Sequence, residues 1–207
     1  TVTYGHDDKN KIFNSLDWTN LNNKNLNNYI RSKTVAEKAA WKYINSEKKI
    51  NLELCTICPG FILGPVLQNK IKGISAKKLM GIFTKKIFFF PNRHFNYVDV
   101  RDIAKLNVEA LKSDLSANKR FLCMSADPVS YSDICNLFKK EGYSFFVLKV
   151  PNILVHVLGL FSQRYKQISY LLDRKMKVDN SDTKELLNWK PTPLELTIKD
   201  MANSITR

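Results

Sequence analysis

An α/β fold, laid out as a parallel sheet with a smaller α+β lobe, is predicted by three stretches of the 207-residue chain. Residues 27–46 read as a helix that places Tyr29 and Lys33 one turn apart, and Ala36, Ala39 and Ala40 beyond them allow it to lie close against a sheet. Residues 51–58 (NLELCTIC) alternate and then run apolar and β-branched. Such a run directly after a helix is expected to be a central, parallel strand. A further apolar strand at 120–124 (RFLCM) returns to the same sheet. With 44% hydrophobic residues, the chain can bury a substantial core and has the size of one domain or somewhat more.

Tyr29 and Lys33 carry the chemistry. A free phenol titrates near 10, too high for proton transfer at neutral pH, and a neighbouring ammonium favours the phenolate and brings that value down. A phenol tuned in this way is a general acid. The same spacing also suits an ordinary helix with a half-buried Tyr and a solvated Lys, so the pair alone does not decide.

Taken in order, residues 1–5 (TVTYG) read as a strand end leaving the sheet, followed by a polar loop to Asn28 in which Trp18 pins the loop to the core. After the helix and strand comes CPGFILGP, residues 58–65, at the carboxyl end of the strand, where open α/β sheets bind ligands. Gly60 permits close backbone approach there, and Pro59 and Pro65 stiffen both ends. Residues 67–86 are polar, then helical, and are expected to cover the substrate pocket. Residues 87–91 and 95–98 read as short strands around an Asn-Arg turn. The three phenylalanines 88–90 either line a pocket for a ring-bearing substrate or pack in the core, the commoner fate. Asp99 and Asp102 stand near the positive end of the next helix. An amphipathic helix at 130–141, a strand at 144–150 and a proline-opened helix at 151–161 follow, the last expected to be buried. Asp182 and Glu185 have capping-box spacing, and a final helix at 194–206 closes the lobe.

Composition narrows the class. The net charge of +14 suits a polyanionic partner, but the lysines come as scattered pairs such as Lys48-Lys49 and Lys139-Lys140, with no aromatic-interleaved stripe. A solvated basic surface is the better reading, and nucleic acid is not an expected partner. Cys55 and Cys58 form the one C-x-x-C, yet strand residues three apart face opposite sides of a sheet, so buried thiols are expected rather than a metal site. His6, His94 and His156 are far apart without ligand spacing. No metal is expected. The most apolar run, 150–161, is too short to span a bilayer, so no membrane is expected, and a reducing, cytoplasmic setting fits best.

The combined wording YIRSKTVAEKAAW, CPGFILGP and FNYVDVRDIA, with VDNSDTKELLNWKP near the end, resembles the extended short-chain dehydrogenase/reductase family, in its branch of dihydroflavonol and cinnamoyl-CoA reductases. The resemblance implies the carboxy-terminal part of a Rossmann-type parallel sheet with a small α+β substrate-binding lobe. Residues 1–66 would be a partial NAD(P)-binding domain and 67–207 mainly the lobe, with segments around 95–125 returning to the sheet. It also implies roles: Tyr29 as proton donor, Lys33 lowering its pKa and binding the nicotinamide ribose, and the backbone of Pro59, Gly60, Phe61 and Ile62 against the nicotinamide carboxamide. Tyr97 has a faint claim as a substrate contact. The family's glycine-rich pyrophosphate turn does not occur in these residues, so a fragment, inactive by itself, is expected. The family's catalytic serine would fall just before Thr1, with Thr1 and Thr3 weak substitutes, and Asp182 stands where the family has lysine. The cofactor would be NAD or NADP and the substrate a small-molecule ketone or aldehyde; the family often pairs into homodimers through helices of this kind. Alternatives are a nucleotide-sugar epimerase or dehydratase of the same superfamily and a non-catalytic nucleotide-binding relic.

Overall fold

Most strands of the chain pair in parallel with strands far away in sequence. The computed structural model describes residues 3–8, 10–46, 52–66 and 87–205. Strands β1 (Ile12–Phe13), β2 (Thr56–Pro59), β3 (Phe61–Leu63) and β4 (Ile87–Pro91) pair in parallel with β10 (Lys177–Val178), β7 (Arg120–Cys123), β6 (Tyr97–Asp99) and β9 (Phe146–Val150), respectively. β5 (His94–Phe95) and β8 (Val129–Ser130) pair antiparallel. The helices are α1 (Asn28–Ser46), α2 (Val100–Lys112), α3 (Tyr131–Lys140), α4 (Asn152–Phe161), α5 (Gln163–Tyr170), α6 (Ser181–Leu186) and α7 (Leu194–Ile205).

The central strand expected over 51–58 is shorter and later. Thr56 is the first residue with a partner, because β7 begins only at Arg120, after the turn closed by Lys119 N–H on Ser116 O. At Gly60 the chain changes neighbours: its N–H donates to Cys123 O on β7, and the next N–H, from Phe61, donates to Asn96 O at 2.7 Å beside β6. A Cβ at Gly60 would run into the Asn96 carbonyl and come within 2.8 Å of Met124 Cβ. The absent side chain is what lets β2 hand over to β3 without a break.

Both faces of this sheet are buried, as its apolar strands require. Ile57, Phe121 and Cys123 point to one side, against Val98, Leu106 and Trp189; Cys58, Leu122 and Met124 point to the other, against Phe13 and Val178. Cys55 and Cys58 thus sit in opposite clusters, all four cysteines are free thiols, and among the described residues no group of His, Cys, Asp and Glu could hold a metal ion. A third cluster builds the lobe from Ile134 and Phe138 of α3 and Ile198 and Met201 of α7.

Asp99 joins sheet to lobe. Fully buried, it caps α2 by accepting the Arg101 N–H at 2.8 Å, and it also accepts from the Arg101 guanidinium and from Thr197 Oγ1 on α7. Asp102 takes the N–H and hydroxyl of Thr192, both at 2.8 Å.

Several expectations are corrected. The helix at 151–161 is not buried: Ile153, Leu160 and Phe161 are each more than seven-tenths exposed and only Val155 is buried. α4 packs chiefly on α5, with Gly159 brought close to the Lys166 backbone, so among the described residues one main neighbour covers a largely apolar helix. Residues 3–5 are bends rather than a strand end. The short strands expected on either side of the Asn92-Arg93 turn do form, at 87–91, 94–95 and 97–99, with β4 pairing to β9 and β5 to β8. The phenylalanines divide, Phe90 buried and Phe89 exposed. α6 lacks the expected capping box: Asn180 turns its amide to Met124 O, and Asp182 accepts from Ser15 Oγ. The box forms instead at α3, between Ser130 and Asp133. Thr1 and the stretch 67–86 lie outside the described residues. Among the described residues no helix is long and apolar enough to cross a membrane.

Candidate active site

α1 begins where a local donor demand is met. Asn27 Oδ1 accepts the Ile30 N–H at 2.8 Å, one of the amides a helix start leaves unpaired. The helix then lies on the protein along a narrow strip, with Ile30 and Thr34 buried and Glu37, Trp41 and Ile44 half-buried at spacings of one turn. The alanines expected to meet the sheet, Ala36, Ala39 and Ala40, are exposed, because the strip that faces the sheet runs through Ile30 and Thr34.

Tyr29 and Lys33 stand together on the exposed side. Tyr29 is 58% exposed, and Lys33 Nζ lies 5.8 Å from the centre of its ring. Among the described residues Lys33 has no carboxylate in ion-pair range, so its ammonium donors are available to a ligand. Its ammonium sits over the ring of Tyr29.

Pro59 is exposed at the carboxyl end of β2, while Phe61 and Ile62 turn their side chains into the lobe and sheet cores, Phe61 against Phe95 at 4.7 Å. The amides of Gly60 and Phe61 are engaged within the sheet. Tyr97, weighed as a substrate contact, is half-buried, and its hydroxyl lies 3.4 Å from Thr192 O. Burial raises its phenol, and the charges of Glu195, Asp102 and Asp99 add to that.

Sequence reasoning missed the group that ties these pieces together. Glu37, one turn beyond Lys33, accepts from Arg120 Nε at 2.7 Å and from Thr56 Oγ1 at 3.0 Å. Burial would raise its carboxyl, yet the hydrogen bond and charge of Arg120 and the hydrogen bond of Thr56 outweigh this and hold it below the ordinary 4.5. Burial pushes the Cys58 thiol up, so it stays neutral and points its S–H at Glu37 Oε1, 3.8 Å away. The Arg120 guanidinium lies 3.8 Å from the Trp18 ring centre and donates from Nη1 to Ser15 O and Asp17 O, both at 2.7 Å. Trp18 therefore pins the loop as expected. The legible signal was a lone charge opening the apolar strand RFLC.

Two more arginines hold the long loop ahead of Tyr29. Arg31 donates to Leu21 O and Asn23 O at 2.7 and 2.5 Å, and Arg174 to His6 O at 2.6 Å. A segment almost without regular structure is kept in place by guanidinium groups binding its carbonyls. Thr3, the weak stand-in for a catalytic hydroxyl, is buried beside His6, Phe13 and Arg174.

No protein-family model matches the chain. It is 27% identical over 177 residues to a cinnamoyl-CoA reductase of Medicago truncatula, covering 86% of this chain and 47% of that protein. To a putative NADPH-dependent methylglyoxal reductase of Candida albicans it is 28% identical over 206 residues, 93% and 54% of the two chains. The crystal structure of Gre2 from Candida albicans in complex with NADPH shares its fold with a TM-score of 0.74 and 26% identity, over 96% of this chain and 58% of that one. The chain spans about half the length of the curated relatives it matches.

Proposed function

Because the chain belongs to the extended short-chain dehydrogenase/reductases, with their Rossmann-type parallel sheet, we propose that the full-length protein is an NAD(P)-dependent reductase of small ketones or aldehydes. The observation that carries this reading is the Tyr29–Lys33 pair, presented together on the exposed face of α1. The residues present suit a nicotinamide cofactor: a phenol and an unpaired ammonium side by side offer donors to ribose hydroxyls and a proton to a reacting oxygen. When bound, the cofactor supplies the hydride. Tyr29 donates its hydroxyl proton to the carbonyl oxygen as negative charge develops there. Lys33 holds the ribose and, by its charge, supports the phenolate left behind. Pro59 to Ile62, at the carboxyl end of β2, border the nicotinamide. In this reading residues 1–66 belong to the dinucleotide domain, and 67–207 mainly to the substrate lobe, with 95–125 contributing to the sheet. The four free thiols suit a reducing cytoplasm.

The test is oxidation of NADPH and NADH by the full-length protein with a panel of aldehydes and ketones, repeated with Tyr29→Phe. Turnover should fall by roughly 10²- to 10⁴-fold while cofactor binding is retained, the range for loss of a general acid. Equal rates in the two proteins would remove Tyr29 from the chemistry.

A further inference from the structure

Among the described residues, α1 meets the rest of the chain along a narrow strip, and of its 19 residues Ile30 and Thr34, both in the first two turns, are buried. Apolar contact of that kind is non-directional and leaves sliding and rotation of a helix poorly defined. Arg31 ties α1 to the loop carbonyls of Leu21 and Asn23; the directional contact to the sheet lies one turn past Lys33. The Glu37 carboxylate faces a guanidinium fork, with Oε1 to Arg120 Nε at 2.7 Å and Oε2 to Nη2 at 3.3 Å, and Oε1 also takes the Thr56 hydroxyl. Glu37 and Arg120 side chains are only 13% and 9% exposed.

From these contacts we infer that Glu37 and Arg120, clamped by Trp18, are positioning residues that set Tyr29 and Lys33 relative to the carboxyl end of β2. The inference rests on Tyr29 being the proton donor. One guanidinium joins α1, β7 and the loop at Ser15 and Asp17, and one carboxylate joins α1 to β2 three residues before Pro59. Glu37 therefore spans the two parts of the site. A buried ion pair adds little stability over an apolar pair of similar shape, so register is the property it supplies. The planar fork resists rotation of α1 as well as sliding; a lysine at 120 would keep the charge and lose both the fork and the two carbonyl contacts. Along the helix, Glu37 is about 12 Å from Tyr29, at 1.5 Å per residue. A rigid helix carries an error at one end to the other, and a misplacement of about 1 Å costs on the order of 100-fold in rate.

The experiment uses the full-length protein with Arg120→Lys and Glu37→Gln, and Arg101→Lys as the comparison, because Arg101 also bridges two carboxylates, Asp99 and Asp200, but makes no contact with α1 among its hydrogen bonds. For Arg120→Lys and Glu37→Gln, kcat should fall about 10- to 100-fold with KM for the carbonyl within about threefold, as expected when geometry rather than binding is lost. Amide hydrogen exchange across residues 28–37 should rise about tenfold, as local opening becomes easier, with α7 unchanged. Arg101→Lys should lower the melting temperature and leave kcat as it was. Wild-type kcat and wild-type exchange at 28–37 in the two variants would overturn the inference. Should Arg120→Lys fail to fold, the near-isosteric Glu37→Gln decides. Should the wild-type protein reduce no carbonyl, the proposed function fails, and hydrogen exchange at 28–37 alone decides whether the pair positions the helix.

Discussion

Replacing Asp99 with asparagine keeps the shape of the side chain and removes its charge at the junction of sheet and lobe. In the wild type, Oδ1 accepts from Arg101 N and Nε at 2.8 and 2.9 Å, and Oδ2 accepts from Arg101 Nη2 and Thr197 Oγ1, both at 2.8 Å. Asparagine retains the first pair. Its amide nitrogen, however, would face the Nη2 donor, a contact the hydroxyl of Thr197 can escape by rotating but a guanidinium cannot. Hydrogen bonds to charged groups contribute about 1.5–3 kcal/mol each, and breaking a fully buried ion pair costs about 3–5 kcal/mol. The cost here should be lower, about 2–3 kcal/mol, because water can still reach the Arg101 side chain, which is 45% exposed and keeps Asp200 at 2.6 Å. For a chain of this size that is a fall in melting temperature of about 4–12 °C. The acid response separates charge from shape. Burial would raise the Asp99 carboxyl, but the bonds from Arg101 and Thr197 hold it below the ordinary 3.8. Its stabilisation is therefore complete above that value and is lost as pH falls through the lower folded value. Urea denaturation followed by tryptophan fluorescence, from neutral pH into acid, should show the gap between wild type and Asp99→Asn narrowing as pH drops. A gap under about 0.5 kcal/mol at neutral pH, smaller than one net hydrogen bond, would refute the account of the junction.

Gly60→Ala should destabilise by about 1–3 kcal/mol, the range for overpacking, because the added methyl meets the Asn96 carbonyl that receives the Phe61 N–H; thermal unfolding measures it. His94 is expected to confer a second pH dependence. Burial, and then the charge of Lys175, hold its imidazole below 6.5 against the opposing pull of Asp133 and Asp173, and its buried Nδ1 has no partner among the described residues. The unfolded chain takes up that proton first, so stability should decline as pH falls below 6.5, and His94→Phe should flatten that decline.

The parts that were legible in sequence depend on neighbours along the chain. Helix α1 was expected from residue 27 and runs from Asn28, since helical periodicity and the Asn27 cap are both local. That CTIC and RFLC are strands of one sheet was likewise readable from their apolar runs, and the structure adds that they pair directly and in parallel. Strand ends were not: β2 is cut short by where β7 starts, a fact held 64 residues away. The burial of α4 was misread for a related reason. An apolar composition says that a helix can be buried, but which neighbours cover it depends on how the lobe is assembled.

The candidate site divides in the same way. Tyr29 and Lys33 are brought together by one turn of helix, so four residues of sequence were enough to place them side by side. Glu37 and Arg120 meet across 83 residues, and no spacing rule connects them. The sequence by itself determined the chemistry available on α1, because that follows from residue type and helical repeat. Only the tertiary structure decided what holds the helix in register, since a buried carboxylate needs a specific partner and the fold alone brings that partner within 2.7 Å.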